Sequence, residues 1–482
     1  MRAAALLPVL ALYGLVGWTS PGYDDEIFTI AWIEAAASVR DLLATIASRD
    51  THPPGSYLIG MGLARLGLGW SEIRALAGAV TALSLWGLWR VCAPAGRAEA
   101  AFAWMAICLN PTVLLWGATL RWYSFFLPLF IALIVLVVVN PASRWRFWGL
   151  FCMASAGLVW LGYLALVLLP AVLAAALWRR RRLIGGEWGA IAVFAGLWAM
   201  AIAPQVLLVL PQQLDRGIAV HALGPARRVL GAAMHVLAGQ ASMPVSLGAV
   251  AFALGNLALL GLGLRRAWGM PGTIGVIVFL GGLAGAGAAG ITGHFRSLVL
   301  LVPAQAMWQG ALFGAIRGQV PRAAVALCFA VGTLAGLANV IGHRDTTKGS
   351  WNTPYAAILS AIEAARRDCP SLAVTSFDPV LAWHLGARGI ALAPASGPGF
   401  EALINDAAAC LATVETFRGR TPVELHRRFA EAIAARPGPR RVVEFGPDRH
   451  AWFKRRFDPD VPDHAARLTV FPGRAAPGPN DG

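Results

Sequence analysis

The chain has 482 residues, 57% hydrophobic and only 13% charged, with a formal net charge of +15 and a mean hydropathy of +0.61. A soluble domain carries about a quarter charged residues, so this deficit excludes an ordinary water-soluble enzyme and makes lipid the main solvent. The positive charge does not signal nucleic acid: no basic-aromatic platform occurs, and loop arginines suit anionic lipid head groups, at about 1 kcal/mol each.

In chain order, the first uncharged run lies between Arg2 and Asp24. It is long for a cleaved signal peptide and lacks a clear small-x-small site, so it reads as a retained anchor. Further uncharged runs separate Glu99 from Arg121, Arg121 from Arg144, Glu187 from Asp215, Arg266 from Arg296, Arg296 from Arg317, and Arg322 from Arg344. Each is about 20 residues or more, enough for a helix to cross a roughly 30 Å hydrocarbon core. The run Phe147 to Trp178 is too long for one simple span. A tight hairpin turning near Gly162 keeps Arg144 and the Arg179–Arg182 cluster on one side.

Basic loops belong on the cytoplasmic side. That places Arg90 and Arg97, Arg144 and Arg146, Arg179 to Arg182, Arg265 and Arg266, and Arg317 and Arg322 inside. The expectation is a polytopic α-helical protein of the inner membrane with about eleven transmembrane helices. Its N-terminus is cytoplasmic, and residues 1–342 form the membrane domain. Residues 343–472 read as a soluble α/β domain on the periplasmic side, and 473–482 as a disordered tail.

The large first outside loop, 19–72, is unusual. It contains Pro21-Gly22-Tyr23-Asp24-Asp25-Glu26 and then Asp50-Thr51-His52-Pro53-Pro54-Gly55. Asp24 or Asp25 as the cap of a helix beginning near Ile27 accounts for one acid, but not for three or for the second cluster. The stretch Ser56 to Leu68 is apolar but interrupted by Gly60, Gly62, Arg65 and Gly67, as in a helix lying on the membrane surface.

An acidic pair (Asp25, Glu26), an Asp-x-His-Pro-Pro segment (Asp50, His52, Pro53, Pro54) and an Asn-Pro…Arg-x-Tyr segment (Asn110, Pro111, Arg121, Tyr123) follow in order. Together they resemble the integral-membrane glycosyltransferases of the GT-C superfamily. The similarity is strongest to the branch of protein O-mannosyltransferases and of the aminoarabinose and galacturonic acid transferases that modify lipid A. It extends by hydropathy and loop order to about residue 342.

The resemblance implies transfer of a sugar from a polyprenyl-phosphate donor to an acceptor hydroxyl at the outer face, usually with inversion. A hydroxyl nucleophile needs a carboxylate to take its proton, which assigns Asp25 as base, with Asp24 and Glu26 as the neighbouring candidates. Charge grows on the leaving phosphate, and an Arg fork stabilises it. Arg121, beside Tyr123, and Arg296, in Gly293-His294-Phe295-Arg296, are the candidate cations. His52 is a phosphate donor or a turn cap, and Asp50 orients His52 or begins the next helix. Relatives often carry an acid two residues before the matching Arg; here that residue is Thr119. A divalent metal is possible, with Asp24, Asp25, Glu26, Asp50 and His52 as hard ligands, but no cofactor is assigned. The expected partners are a polyprenyl-phosphate-linked sugar, a lipid, glycan or protein acceptor, and membrane lipids.

Elsewhere, small residues from Gly281 to Gly287 suit close helix packing, and His235 reads as a loop residue. The loop Pro211 to Arg228 faces outside, within reach of a head group or acceptor. In the tail, helices are expected over Lys348–Asp368, Asp378–Gly386, Glu401–Thr413 and Pro422–Ala435. Strands are expected over Leu372–Phe377, Gly389–Ala393 and Arg441–Phe445. Cys369 and Cys410 are a possible disulfide in an oxidising periplasm. A transporter or flippase of lipid-linked sugars is the rival function. It suits the sequence less well: the charges sit in loops, not mid-span, and no internal repeat is visible. A non-catalytic assembly or sensory protein leaves the acidic run and His52-Pro53-Pro54 unexplained.

Overall fold

A computed structural model describes residues 4–20, 22, 24–50, 52–93, 96–211, 232–233, 236–239, 247–263, 269–289, 298–342, 353–416, 423–446 and 466–472. Arg296, His235, the Gln212–Arg228 part of the outside loop and the tail from Gly473 lie outside the described residues. The chain forms two compact units: Met1–Ser20 with Phe28–Gly342, and Pro21–Ile27 with His343–Gly482.

The first unit is a membrane protein of apolar helices. Among the described residues, six helices are long and apolar enough to cross a bilayer: Trp70–Cys92, Arg97–Gly117, Trp122–Val139, Trp188–Val209, Met270–Ala288 and Gln319–Ile341. Leu6–Thr19, Leu247–Gly263 and Val299–Ala315 are shorter apolar helices. The sequence predicts about eleven crossings; six helices among the described residues meet both length and hydropathy.

Helices are labelled in chain order. The first is α1 (Leu6–Thr19), followed in the outside loop by α2 (Asp24–Ala35), α3 (Val39–Arg49) and α4 (Gly55–Arg65). The expected helix near Ile27 starts earlier, at Asp24. The three acids therefore lie in its first turn, where the helix dipole favours negative charge. Next come α5 (Trp70–Cys92), α6 (Arg97–Cys108), α7 (Pro111–Gly117) and α8 (Trp122–Val139). Asn110 caps α7, its Oδ1 accepting from Thr112 N at 3.0 Å and Val113 N at 3.3 Å. Pro111 takes the first helical position, where its missing N–H costs nothing.

Helices α9 (Arg144–Leu161) and α10 (Leu164–Arg180) are separated only by Gly162 and Tyr163, so the long uncharged run does turn near Gly162. The turn is tight because Trp122 packs against it: a Cβ on Gly162 would come 2.8 Å from a Trp122 ring carbon. After α11 (Trp188–Pro204) the helix widens into a π-turn over Gln205–Val209. The unit is completed by α12 (Leu247–Gly263), α13 (Met270–Ala288), α14 (Val302–Ala315) and α15 (Gln319–Ile341). The small-residue stripe on α13 lets α10 approach its backbone, since a Cβ on Gly285 would lie 2.8 Å from Val167 O and one on Gly281 would lie 2.9 Å from Ala171 Cβ.

At the basic end of the α9–α10 hairpin, Arg180 is 1% exposed and clamps three segments. It forms a fork with Glu187, donating through Nε to Oε2 at 2.8 Å and through Nη2 to Oε1. Its Nη1 reaches Asn140 Oδ1 and Pro141 O, and the guanidinium lies 4.5 Å from the Phe147 ring centroid. Trp148 Nε1 donates to Glu187 at 3.0 Å. Sequence marked Arg179–Arg182 only as a topology signal, yet Arg180 is a structural clamp.

The second unit is a five-stranded mixed sheet of order β2-β1-β3-β5-β4. Its strands are β1 (Ala373–Ser376), β2 (Leu392–Ala393), β3 (Leu411–Thr416), β4 (Arg441–Phe445) and β5 (Ala466–Phe471), with β1 parallel to β2 and β3, and β5 antiparallel to β3 and β4. Helices α16 (Tyr355–Asp368), α17 (Pro379–Gly386), α18 (Pro398–Asn405) and α19 (Val423–Ala435) accompany it. Ile27 belongs to this unit's core with Ile358, Ile362, Val374 and Leu385. Cys369 and Cys410 are joined in a disulfide, their Cα atoms 6.5 Å apart. The expected helix Glu401–Thr413 is corrected: it ends at Asn405. Asp406 Oδ1 then accepts from Ala408 N and Ala409 N in a turn, and a strand follows from Leu411. All six residues of β3 are buried between β1 and β5, so no polar alternation marks it as a strand. Strand β5 was not anticipated.

Candidate active site

The turn from α3 into α4 and the start of α8 bring three of the motif residues together. Asp50 ends α3, with its N–H bonded to Ile46 O, and Pro54 precedes the first turn of α4. The two prolines fix φ and forbid continuation of α3, which forces a sharp change of direction between Asp50 and Tyr57. Gly55 is required there: a Cβ would come 2.5 Å from Trp160 O. The turn folds the Asp50 carboxylate between two partners. His52 Nδ1 lies 2.8 Å from Oδ1, and Tyr57 donates its hydroxyl to Oδ2.

Arg121 begins α8 in an extended conformation and is 7% exposed. Its Nη1 donates to Thr29 Oγ1 at 2.9 Å and to Tyr57 Oη at 3.2 Å. Tyr57 therefore links Arg121 to Asp50, which in turn holds His52. Burial raises the Asp50 carboxyl, but the charge and hydrogen bond of His52, the charge of Arg121 and the Tyr57 hydroxyl outweigh it and hold the group well below the usual carboxylate range. The Tyr57 phenol is pushed up by burial and by the Asp50 charge, against the lowering effect of Arg121, so it stays protonated and bridges the two ions.

Aromatic rings wall the cluster. The Trp122 ring lies 6.3 Å from His52 and 4.1 Å from Tyr123. Tyr123 in turn lies 5.3 Å from Trp116. Thr119 is fully buried and donates to Trp116 O at 2.9 Å.

Of the residues predicted from sequence, Asp50, His52 and Arg121 come together, and Tyr123 joins their aromatic wall. Asp25 and Glu26 stand on the first turn of α2, counted with the second unit, Asp25 half-buried and Glu26 0% exposed. Asp24 lies on the same turn. Sequence reasoning missed Tyr57 and Thr29. Tyr57 was counted among the apolar residues of the surface helix, although its place seven residues after Asp50 was the available signal. Among the described residues, no three of His, Cys, Asp and Glu are grouped to hold a metal ion. Asp50 and His52 fit one poorly, since their oxygen and nitrogen are turned toward each other.

No protein-family model matches the chain, and no curated protein matches its sequence. A solved structure does match: the crystal structure of ArnT from Cupriavidus metallidurans bound to undecaprenyl phosphate. It aligns with 98% of this chain and 99% of its own, at a TM-score of 0.55 and 12% identity. The chain therefore has the fold of ArnT.

Proposed function

We propose that this protein is a membrane glycosyltransferase that moves a sugar from a polyprenyl-phosphate donor to an acceptor hydroxyl on the periplasmic face of the inner membrane. One observation carries the reading: a buried arginine, held by Thr29 and Tyr57 beside Asp50 and His52, in the fold of a protein whose crystal structure was solved bound to undecaprenyl phosphate.

In this reading Asp25 takes the proton of the acceptor hydroxyl. The hydroxyl oxygen attacks the anomeric carbon, and the bond from that carbon to the phosphate oxygen breaks with inversion. The leaving polyprenyl phosphate gains a negative charge, and Arg121 is the cation that stabilises it. Arg suits the task because it stays charged when buried and presents a planar fork to phosphate. Asp50 orients His52 through Nδ1, which directs the other ring nitrogen to the phosphate. In support of Asp25 as base, it forms an acidic pair with Glu26 in the first turn of α2. The Cys369–Cys410 disulfide supports an oxidising, periplasmic setting for the second unit.

The test is transfer of radiolabelled sugar by the purified full chain from a panel of undecaprenyl-phosphate sugars, comparing wild type with Arg121→Gln. The reading expects transfer by wild type and a loss of about 100-fold or more in the variant. Equal transfer by both proteins would remove Arg121 from the mechanism, and no transfer from any donor would overturn the assignment.

A further inference from the structure

The turn between α9 and α10 carries a polar pair that the mechanism above leaves unused. Gln205 opens the π-turn at the end of α11 and is 0% exposed. Its Nε2 donates to Tyr163 Oη, while Oε1 is buried with no hydrogen-bond partner. Exchanging the amide oxygen and nitrogen would leave the nitrogen orphaned instead, so one polar atom lacks a partner in either orientation. Such an orphan is costly to keep, and π-turns inside helices are frequent at functional sites.

The surroundings place this pair beside the cluster already described. Gly162, next to Tyr163, packs on the Trp122 ring, and Trp160 packs on Gly55 through its carbonyl. Trp122 Nε1 is itself buried without a partner. Burial pushes the half-buried Tyr163 phenol up to about 12, against the Gln205 bond, and the negative charge of Asp50 adds to the rise. The phenol therefore keeps its proton. Having accepted from Gln205, it presents that proton as a donor.

A buried indole N–H and a buried amide oxygen without partners, with a phenol donor beside the amide, form a set suited to the hydroxyls of a sugar. Those hydroxyls both give and accept hydrogen bonds, whereas a phosphate gives none to an amide oxygen. We propose that Trp122, Tyr163 and Gln205 form the subsite for the sugar of the donor, with Tyr163 touching a sugar hydroxyl and Gln205 positioning Tyr163. This rests on the glycosyltransferase reading above.

The test compares two ligands on the purified full chain: undecaprenyl phosphate alone, and undecaprenyl phosphate carrying glucose, galactose, mannose or arabinose. Wild type is expected to bind one sugar-bearing form more tightly than the bare phosphate. Tyr163→Phe and Gln205→Leu should lower that preference about 5- to 10-fold and leave affinity for undecaprenyl phosphate unchanged. Arg121→Gln should weaken both ligands together. If Tyr163→Phe keeps the preference, or weakens both ligands in parallel, the subsite assignment is wrong. Absence of any sugar preference in wild type also overturns it. Failure of wild type to bind undecaprenyl phosphate would instead sink the underlying reading.

Discussion

Arg121 Nη1 donates to Thr29 Oγ1 at 2.9 Å, tying the start of α8 to α2 across 92 residues of sequence. An arginine at the end of an apolar run usually snorkels toward water with its stem in lipid. Here it is buried and donates to the hydroxyls of Thr29 and Tyr57, and Tyr57 in turn donates to Asp50.

Tyr57 is the bridge in this arrangement, donating to Asp50 and accepting from Arg121. Tyr57→Phe leaves a buried carboxylate and a buried guanidinium each short of one partner. The expected cost is about 1–3 kcal/mol of stability, seen as a lower thermal midpoint in detergent. An unchanged midpoint would mean the hydroxyl bridge is not formed in the folded protein.

Asp50 sets a pH dependence. Its folded pKa lies below the ordinary Asp value of about 3.9. The stability it adds is therefore complete above that value and is lost as pH falls through it toward the folded pKa. Wild type should lose thermal stability more steeply than Asp50→Asn between about pH 5 and 3. Parallel slopes for the two proteins would contradict the depressed pKa.

The Arg180–Glu187 fork is a buried pair at the basic end of the bundle. Glu187→Gln leaves the Arg180 charge without its counter-ion, which costs about 3–5 kcal/mol when one partner of a buried pair is removed. Thermal unfolding in detergent should show a large drop, while donor binding in the surviving folded fraction stays normal. A variant as stable as wild type would reduce the fork to a surface contact.

Close packing of α10 on α13 makes its own prediction. Gly285→Val pushes a side chain into the Val167 carbonyl, 2.8 Å from the new Cβ. Overpacking of this kind costs about 1–3 kcal/mol. Gly287→Ala, on the same helix and with open space around its Cβ position, is the control and should be close to neutral. The same thermal assay reads both.

What was legible in the sequence followed from simple physical signals. Absence of charge marked the apolar helices, and the length of the Phe147–Trp178 run marked the α9–α10 hairpin. Asp50, His52 and Arg121 were legible through the motifs that resemble a membrane glycosyltransferase family; their residue types alone also suit a helix start, a turn cap and a snorkelling arginine. Tyr57, Tyr163 and Gln205 were hidden because each is a single amphipathic or amide residue within an apolar stretch, and its partner lies far along the chain. Strand β3 was misread because Ala407, Ala408 and Ala409 favour a helix locally, whereas pairing with β1 and β5 decides the outcome. Arg180 looked like its neighbours in sequence; only the meeting of Asn140, Phe147 and Glu187 distinguishes it.

The most direct test of the central claim is sugar transfer by Asp25→Asn. Purified wild type and variant are compared in parallel across several undecaprenyl-phosphate sugars and acceptor hydroxyls, with donor binding measured on the same samples. The account predicts that donor binding persists and transfer is lost, since the amide cannot take the acceptor proton. Transfer retained at the wild-type rate would contradict Asp25 as base and move that role to Asp24 or Glu26. Donor binding without transfer in wild type itself would contradict the glycosyltransferase reading and favour movement of the lipid-linked sugar across the membrane.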